Sequence, residues 1–405
     1  MAQIIYSGTF CSSIEKELKI RILNNYMRNF GNSTKVIRLS CAILFIVFTF
    51  VYLYYYQADI LAVAQHILSS GRTQYDRKIG AVLITIVLYL LHIGIASVIK
   101  TGKVGYSLTF FPSLLVLAFI TDIEAKSANQ ICFGVSGWVF LLLSVVYGML
   151  LWACYRLKTL SESSSKILFS RFVWSDFLMM FLMFFMVGTV SSHNEVFHYR
   201  AHMEQSLLDN GYNEALATGR NTLQTDSSLT MLRAFALSKK GTLGEYLFEY
   251  PLIGGSKALL PHNNVGTFML PEAVIYRNVG VVLRQKLSPL EYLEYIEKHH
   301  LAKKAAADYL LCGYLLDKKL DAFVNNISKY YDIKGTLPKH YREALILYTH
   351  LRSNPKIVYH SNVMDTDFQD FQDLNRKYPR RAERVNAVRD IYGKTYWYYY
   401  LYATS

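Results

Sequence analysis

Five apolar stretches in the first 190 residues of this 405-residue chain constrain its fold more than any other feature. A helix needs about 20 apolar residues to cross roughly 30 Å of hydrocarbon. The third stretch is the weakest, because it is short, contains Pro112 and is followed by Asp122 and Glu124. The pattern predicts a bundle of five membrane spans over residues 39–190. The predicted spans are 39–56, 79–99, 104–120, 131–154 and 172–190.

Charged residues are concentrated after this apolar region. Residues 1–190 contain 24 Asp, Glu, Lys and Arg residues, whereas residues 191–405 contain 49. Most of the cations in the first part flank apolar runs, so membrane topology rather than nucleic-acid binding accounts for the net charge of +13. The expected partners are therefore the lipid bilayer and another protein, with no nucleic acid.

Basic residues in the short loops orient the predicted spans. The N-terminal arm, residues 1–38, and the loops after the second and fourth spans are rich in Lys and Arg, which predicts a cytoplasmic location. An odd number of spans then places residues 191–405 outside the cytoplasm. The first apolar run starts too late and is too long for a cleaved signal peptide, so a retained anchor is predicted. Met27 is an alternative start, which would leave residues 1–26 outside the mature protein.

The segment ADILAVAQHILSSG after the first span is too short to cross a membrane. One interpretation is an amphipathic helix along the outer membrane surface or under the soluble domain. The other is a simple extension of the first span.

Beyond Val190 the sequence changes to amphipathic segments separated by turn residues, with little strand alternation. This pattern predicts an all-α domain over residues 191–405. The runs TMLRAFALSKKGTLGEYLFEYP and AAADYLLCGYLLDKKLDAFVNNISKYYD have the helix–turn–helix texture of tetratricopeptide-like repeats, which bury one another's apolar faces. Gly313 is expected to allow close helix approach in the second run. The repeats have no strict period, so an irregular helical domain is the alternative.

Three strings carry a family resemblance: ALSKKGTLGEYLFEYPLIGGSKALLP, LPKHYREALILY and GKTYWYYYLY. They resemble an uncharacterised family of multi-pass bacterial membrane proteins with a tetratricopeptide-like extracytoplasmic domain. The resemblance covers most of the chain after the first span. It implies a bacterial inner-membrane protein with a periplasmic helical domain. The family has no established activity, so the resemblance provides no catalytic residue.

The string SSHNEVFHYRAHMEQ at the domain border is a candidate metal site. Glu195, His198 and His202 would lie on one helical face, as a site of two histidines and one carboxylate requires, with His193 as an adjustable fourth ligand. The pattern HExxH is absent, however, and Arg200 lies between the histidines. The alternative is a solvated helix that leaves the membrane.

Two segments of the helical domain are candidate partner contacts. The loop 251–261 lacks the strand and spacing of a phosphate-binding loop, but long loops on helical scaffolds often contact partners. The ending TYWYYYLY offers aromatic faces, unless it caps the last groove of the helical stack or returns to the membrane surface. The residues predicted to contact a partner are Gly254, Gly255, Ser256, Lys257, Tyr396 and Trp397.

Asp176 and His92 are the ionisable exceptions within the predicted spans. Such groups are functional candidates by default. Asp176 is expected in the first turn of its helix, where the helix dipole favours it, and His92 as a neutral side chain that bonds a neighbouring helix. Two isolated groups do not define a transport path, so a transporter is the third hypothesis.

The sequence contains no readable catalytic constellation and predicts no cofactor. The favoured function is an integral membrane scaffold that binds another protein or an envelope complex through its extracytoplasmic domain. An enzyme or a handler of envelope glycan or lipid is the alternative, with its metal site at Glu195, His198 and His202.

Overall fold

The computed structural model describes residues 37–99, 105–127, 130–133, 137–161, 168–191 and 194–403. Nearly all of the predicted N-terminal arm lies outside these residues. The chain divides into two compact units. We call them the membrane unit, which comprises Met1–Leu61, Tyr75–Ile123 and Phe133–His193, and the helical unit, which comprises Ala62–Gln74, Glu124–Cys132 and Asn194–Ser405.

The helices of the first half follow the predicted apolar windows. Asp76 accepts a hydrogen bond from the amide of Ile79 (2.8 Å) and so fixes the start of the third helix. A 3₁₀ turn, Tyr106–Phe110, leads directly into the fourth helix. The helices are α1 (Ile37–Tyr56, ending in a π-helical turn), α2 (Ala58–Leu68), α3 (Arg77–Val98), α4 (Phe111–Thr121), α5 (Gly137–Ser161) and α6 (Leu168–Val190).

Among the described residues, α1 and α3 are long and apolar enough to cross a membrane. The number rises to three if α6 and the helix after it form one broken span. The helical stretches Tyr106–Thr121 and Gly137–Ala153 are apolar but shorter. The segment ADILAVAQHILSSG forms α2, a helix separated from α1 by a bend at Gln57.

A two-stranded sheet lies where the fourth span was predicted to begin. Its strands are β1 (Ile123–Ser127) and β2 (Gln130–Phe133). The predicted start at residue 131 was wrong, since the helix begins at Gly137. Apolar content over a few residues does not distinguish a strand from the first turn of a helix.

The helical unit is all-α after residue 194. Its core runs without interruption from Met203 to Tyr399 and draws on most of its helices. The α-helices of this described region are α7 (Glu195–Leu208), α8 (Tyr212–Ala217), α9 (Ser227–Lys239), α10 (Leu243–Tyr246), α11 (Glu272–Val279), α12 (Pro289–Lys298), α13 (Lys304–Leu316), α14 (Leu320–Ile327), α15 (Lys339–Leu351), α16 (Asn362–Lys377), α17 (Arg381–Tyr392) and α18 (Tyr396–Tyr402).

Glycines allow the helices of this unit to pack closely. A Cβ atom at Gly313 would lie 3.0 Å from Leu290 Cδ1, and one at Gly244 would lie 2.5 Å from the Cζ atom of Tyr341. The first contact agrees with the close approach expected at Gly313. The second shows that the ring of Tyr341 occupies the space of the missing side chain.

Candidate functional site

The three predicted metal ligands lie on α7 but do not converge. Glu195 accepts a hydrogen bond from the hydroxyl of Tyr199 (3.2 Å), and His202 Nε2 lies 3.5 Å from a carboxylate oxygen of Glu214. Within the described part of the chain, no group of three His, Cys, Asp or Glu residues could hold a metal ion. His193 lies outside the described residues.

The carboxylate of Asp317 anchors the loop that contains Gly254 and Gly255. Asp317 accepts hydrogen bonds from the amide and the hydroxyl of Ser256, both at 2.9 Å. Gly254 and Gly255 have positive φ angles of 96° and 57°. Ser256 is buried and serves this anchor, whereas Lys257 is exposed and is the one charged side chain that the loop presents to solvent.

The aromatic ending lies in the core rather than at the surface. Tyr396 and Trp397 are 0% and 2% exposed. The buried carboxylate of Glu343 accepts the amide N–H of Tyr396 (2.7 Å), and its backbone carbonyl accepts the indole N–H of Trp397 (2.8 Å). These two rings therefore close the helical stack and offer no face to a partner in this conformation.

A pocket of about 450 Å³ opens on another face of the helical unit. It lies between the turn at His262–Val265, the helix α11 and the irregular segment 280–288 that precedes α12. Its walls combine apolar and aromatic side chains with a few polar groups, which is the usual composition of a binding site. The charged and polar groups that line it are His262, Asn263, Glu272, Arg284, Gln285 and Lys286.

Two tyrosines fix the shape of the pocket. The hydroxyl of Tyr276 donates to the carbonyl of Pro261, and that of Tyr292 donates to the carbonyl of Val281, each at 2.6 Å. The two rings meet edge to face with centroids 5.1 Å apart. Burial raises the pKa of Tyr292 to about 12, so this phenol remains a donor at neutral pH. These contacts hold the walls of the pocket in a defined arrangement.

Two charged side chains of α7 hold the loop that leads to the pocket. Glu204 is 0% exposed and accepts hydrogen bonds from the backbone amides of Phe268, Met269 and Leu270, at 2.7–3.1 Å. Arg200 donates to the carbonyl of Gly266 (3.0 Å) and lies over the ring of Phe268 at 3.9 Å. The segment between the turn and α11 is therefore pinned to the core.

The rim of the pocket is cationic, and one exposed carboxylate, Glu272, also lines the pocket. Arg284 and Lys286 are exposed. Burial raises the pKa of the Glu272 carboxyl above its ordinary value, and the positive charge of Lys286 opposes the shift. A titratable group with a shifted pKa inside a cleft is a mark of binding and catalytic sites.

The pocket was not predicted from the sequence because its lining residues form no recognisable motif. The turn, the first residue of α11 and the segment 280–288 contribute isolated side chains that come together only in the fold. The sequence did contain one signal, which is the closely spaced pair of cations Arg284 and Lys286 in VVLRQKLSP. This pair lies just before Ser288 and Pro289, where α12 begins.

Comparison with known proteins identifies one region of similarity. Residues 282–403 match a family model described as "Family of unknown function (DUF6057)". No curated protein and no solved structure matches the chain. The matched region begins at Val282, on the lip of the pocket, and continues through α18. It is consistent with the resemblance to an uncharacterised family and assigns no activity.

Proposed function

We propose that this protein is an integral membrane scaffold that binds another protein through its helical unit. In this proposal five spans anchor the chain in a bacterial inner membrane, and residues 191–405 form a tetratricopeptide-like domain in the periplasm. The two or three helices long enough to span a membrane, with the shorter apolar stretches Tyr106–Thr121 and Gly137–Ala153, support the anchor.

The pocket beside α11 is the main support for the proposed binding role. It has an aromatic wall, and the cations of Arg284 and Lys286 are exposed at its rim. A surface of this kind favours a peptide segment that combines an apolar side chain with acidic groups. We propose that the partner presents such a segment.

A photo-crosslinking experiment in intact cells tests this proposal. A photoreactive amino acid replaces Val282, which is 51% exposed on the pocket lip, in the full-length protein. We expect a discrete adduct that disappears when Arg284 and Lys286 are both changed to Glu, because charge reversal repels an acidic segment.

The same probe at Leu223, which is 71% exposed and does not line the pocket, is the matched control. An adduct at Val282 that survives the double charge reversal, or that also forms from Leu223, would contradict binding of an acidic partner in the pocket.

A further inference from the structure

The fold of the membrane unit brings its two isolated ionisable residues to a single turn. Asp176 on α6 contacts Ser107, and His92 on α3 contacts Tyr106. Tyr106 and Ser107 are consecutive residues of the 3₁₀ turn that precedes α4. Asp176 was expected in the first turn of its helix, but α6 begins at Leu168, so the carboxylate lies more than two turns further along.

Asp176 is 3% exposed and only half of its carboxylate is satisfied. Its Oδ1 accepts hydrogen bonds from the hydroxyl of Ser107 (2.9 Å) and from the Ser107 amide (3.4 Å). Its Oδ2 has no hydrogen-bond partner among the described residues, although the backbone of Gly105 lies near the carboxylate. A buried carboxylate with a bare oxygen in an apolar bundle is costly while it is ionised.

His92 is 2% exposed and lies flat on the ring of Phe110, with ring centroids 3.6 Å apart. Its Nε2 lies 3.3 Å from the hydroxyl of Tyr106. Its Nδ1 makes no hydrogen bond with any residue that the structure describes, although the backbone of Thr109 lies close to the ring. The imidazole therefore has one nitrogen engaged and one without a hydrogen-bond partner among the described residues.

The groups around the turn place this site toward one end of the bundle. The guanidinium of Arg38, at the start of α1, lies 5.2 Å from the centre of the Tyr106 ring, and Arg38 is exposed. An arginine at this position is typical of a membrane–water interface. The titratable and charged side chains that face the cluster are Arg38 and Cys41 from α1, Tyr89 from α3 and Tyr106 from the turn.

We propose that Asp176 is a proton-binding site inside the membrane unit, toward the end of the bundle at which Arg38 lies. The proton comes from water and forms an O–H bond at Asp176 Oδ2, which converts the carboxylate to a neutral acid. His92 stays a neutral imidazole at the same turn, because a buried imidazolium would add a charge to the apolar bundle. Because a neutral acid is a weaker acceptor, proton uptake loosens the bonds from Asp176 to Ser107 and hence the 3₁₀ turn.

Infrared difference spectroscopy of the full-length protein in lipid nanodiscs tests this site. Spectra are recorded between about pH 8 and pH 5, the range in which imidazoles and shifted carboxyls titrate. We expect a carbonyl band of a protonated carboxylic acid that is lost in Asp176→Asn and retained in His92→Gln.

Asp373→Asn, at an exposed carboxylate of the helical unit, is the matched control and should leave the band of Asp176 unchanged. Size-exclusion profiles establish that each variant is folded. A carbonyl band that persists in folded Asp176→Asn would overturn the proposal.

Discussion

At the scale of single residues, we expect the buried Glu204 to contribute more to the stability of the fold than any predicted site residue. It satisfies three consecutive backbone amides in the segment that leads to the pocket. In Glu204→Leu these donors would be left in the core without an acceptor, and we expect the free energy of unfolding to fall by about 3 kcal/mol or more.

Chemical denaturation of the purified protein measures this loss, with Glu204→Gln as the control. The amide of Gln retains one acceptor oxygen, so its loss should be smaller. Equal stability of the Leu variant and the wild type would show that the segment does not depend on this carboxylate.

Glu272 provides a prediction on pH dependence. Its pKa in the folded protein is raised by burial above the ordinary 4.5. The stability that this group contributes is therefore fully present below about pH 4.5 and is lost as the pH rises through the raised folded value. Glu272→Gln should have a higher melting temperature than the wild type near neutral pH, and the difference should vanish in acid. Parallel melting curves across this range would be inconsistent with a desolvated carboxyl.

The apolar and turn patterns predicted which segments form helices better than they predicted which side chains are buried. Tyr396 and Trp397 were predicted as partner contacts because a run of hydroxyl-bearing rings is unusual in a helix core, with a cap on the last groove of the helical stack as an alternative. The hydroxyl of Tyr396 donates to the carbonyl of Leu315, 81 residues earlier, and the indole N–H of Trp397 donates to the carbonyl of Glu343, 54 residues earlier. A contact over that separation has no local signal in the sequence, so burial of these rings could not be read from it.

At the scale of elements, the turn at Gly254 gives a prediction with a close control. A Cβ atom there would lie 2.5 Å from the Ser227 Oγ atom, and φ is +96°. Gly241 also has a positive φ, +67°, but its missing Cβ would meet nothing within 4 Å. Both alanine variants incur the left-handed strain of about 1 kcal/mol, and only Gly254→Ala adds a steric clash. Thermal melting should therefore show the larger loss for Gly254→Ala, and the reverse order would contradict the packing around the loop.

The apolar windows predicted the existence of the apolar helices but not their ends. The fourth window included β2, and the third included the 3₁₀ turn before α4. The turn depends on Gly105, whose φ is +79°, and on the carboxylate of Asp176 at a distance of 69 residues in sequence. Hydropathy contains neither kind of information, and for the same reason it could not show that Asp176 and His92 meet at one turn.

At the scale of the whole molecule, the number of spans depends on α4 and α5. The stretch Tyr106–Thr121 has 16 residues, about 24 Å of helix, which is short for hydrocarbon of roughly 30 Å. However, most of α4 is buried in the bundle, with Val116 and Phe119 as its more exposed large apolar side chains. A helix surrounded by protein does not need to match the lipid thickness, so we expect α4 to cross.

Reporter fusions that distinguish cytoplasmic from periplasmic locations resolve the count. If five helices cross, a fusion after residue 128 is periplasmic, one after residue 164 is cytoplasmic and one after Ser405 is periplasmic. If only α1, α3 and α6 cross, the fusion after residue 128 becomes cytoplasmic while that after Ser405 stays periplasmic. If only α1 and α3 cross, all three are cytoplasmic, and the helical unit would then meet its partner inside the cell. A fusion after Ser70 is periplasmic in each case and serves as the control, because it follows α1 alone among the candidate spans.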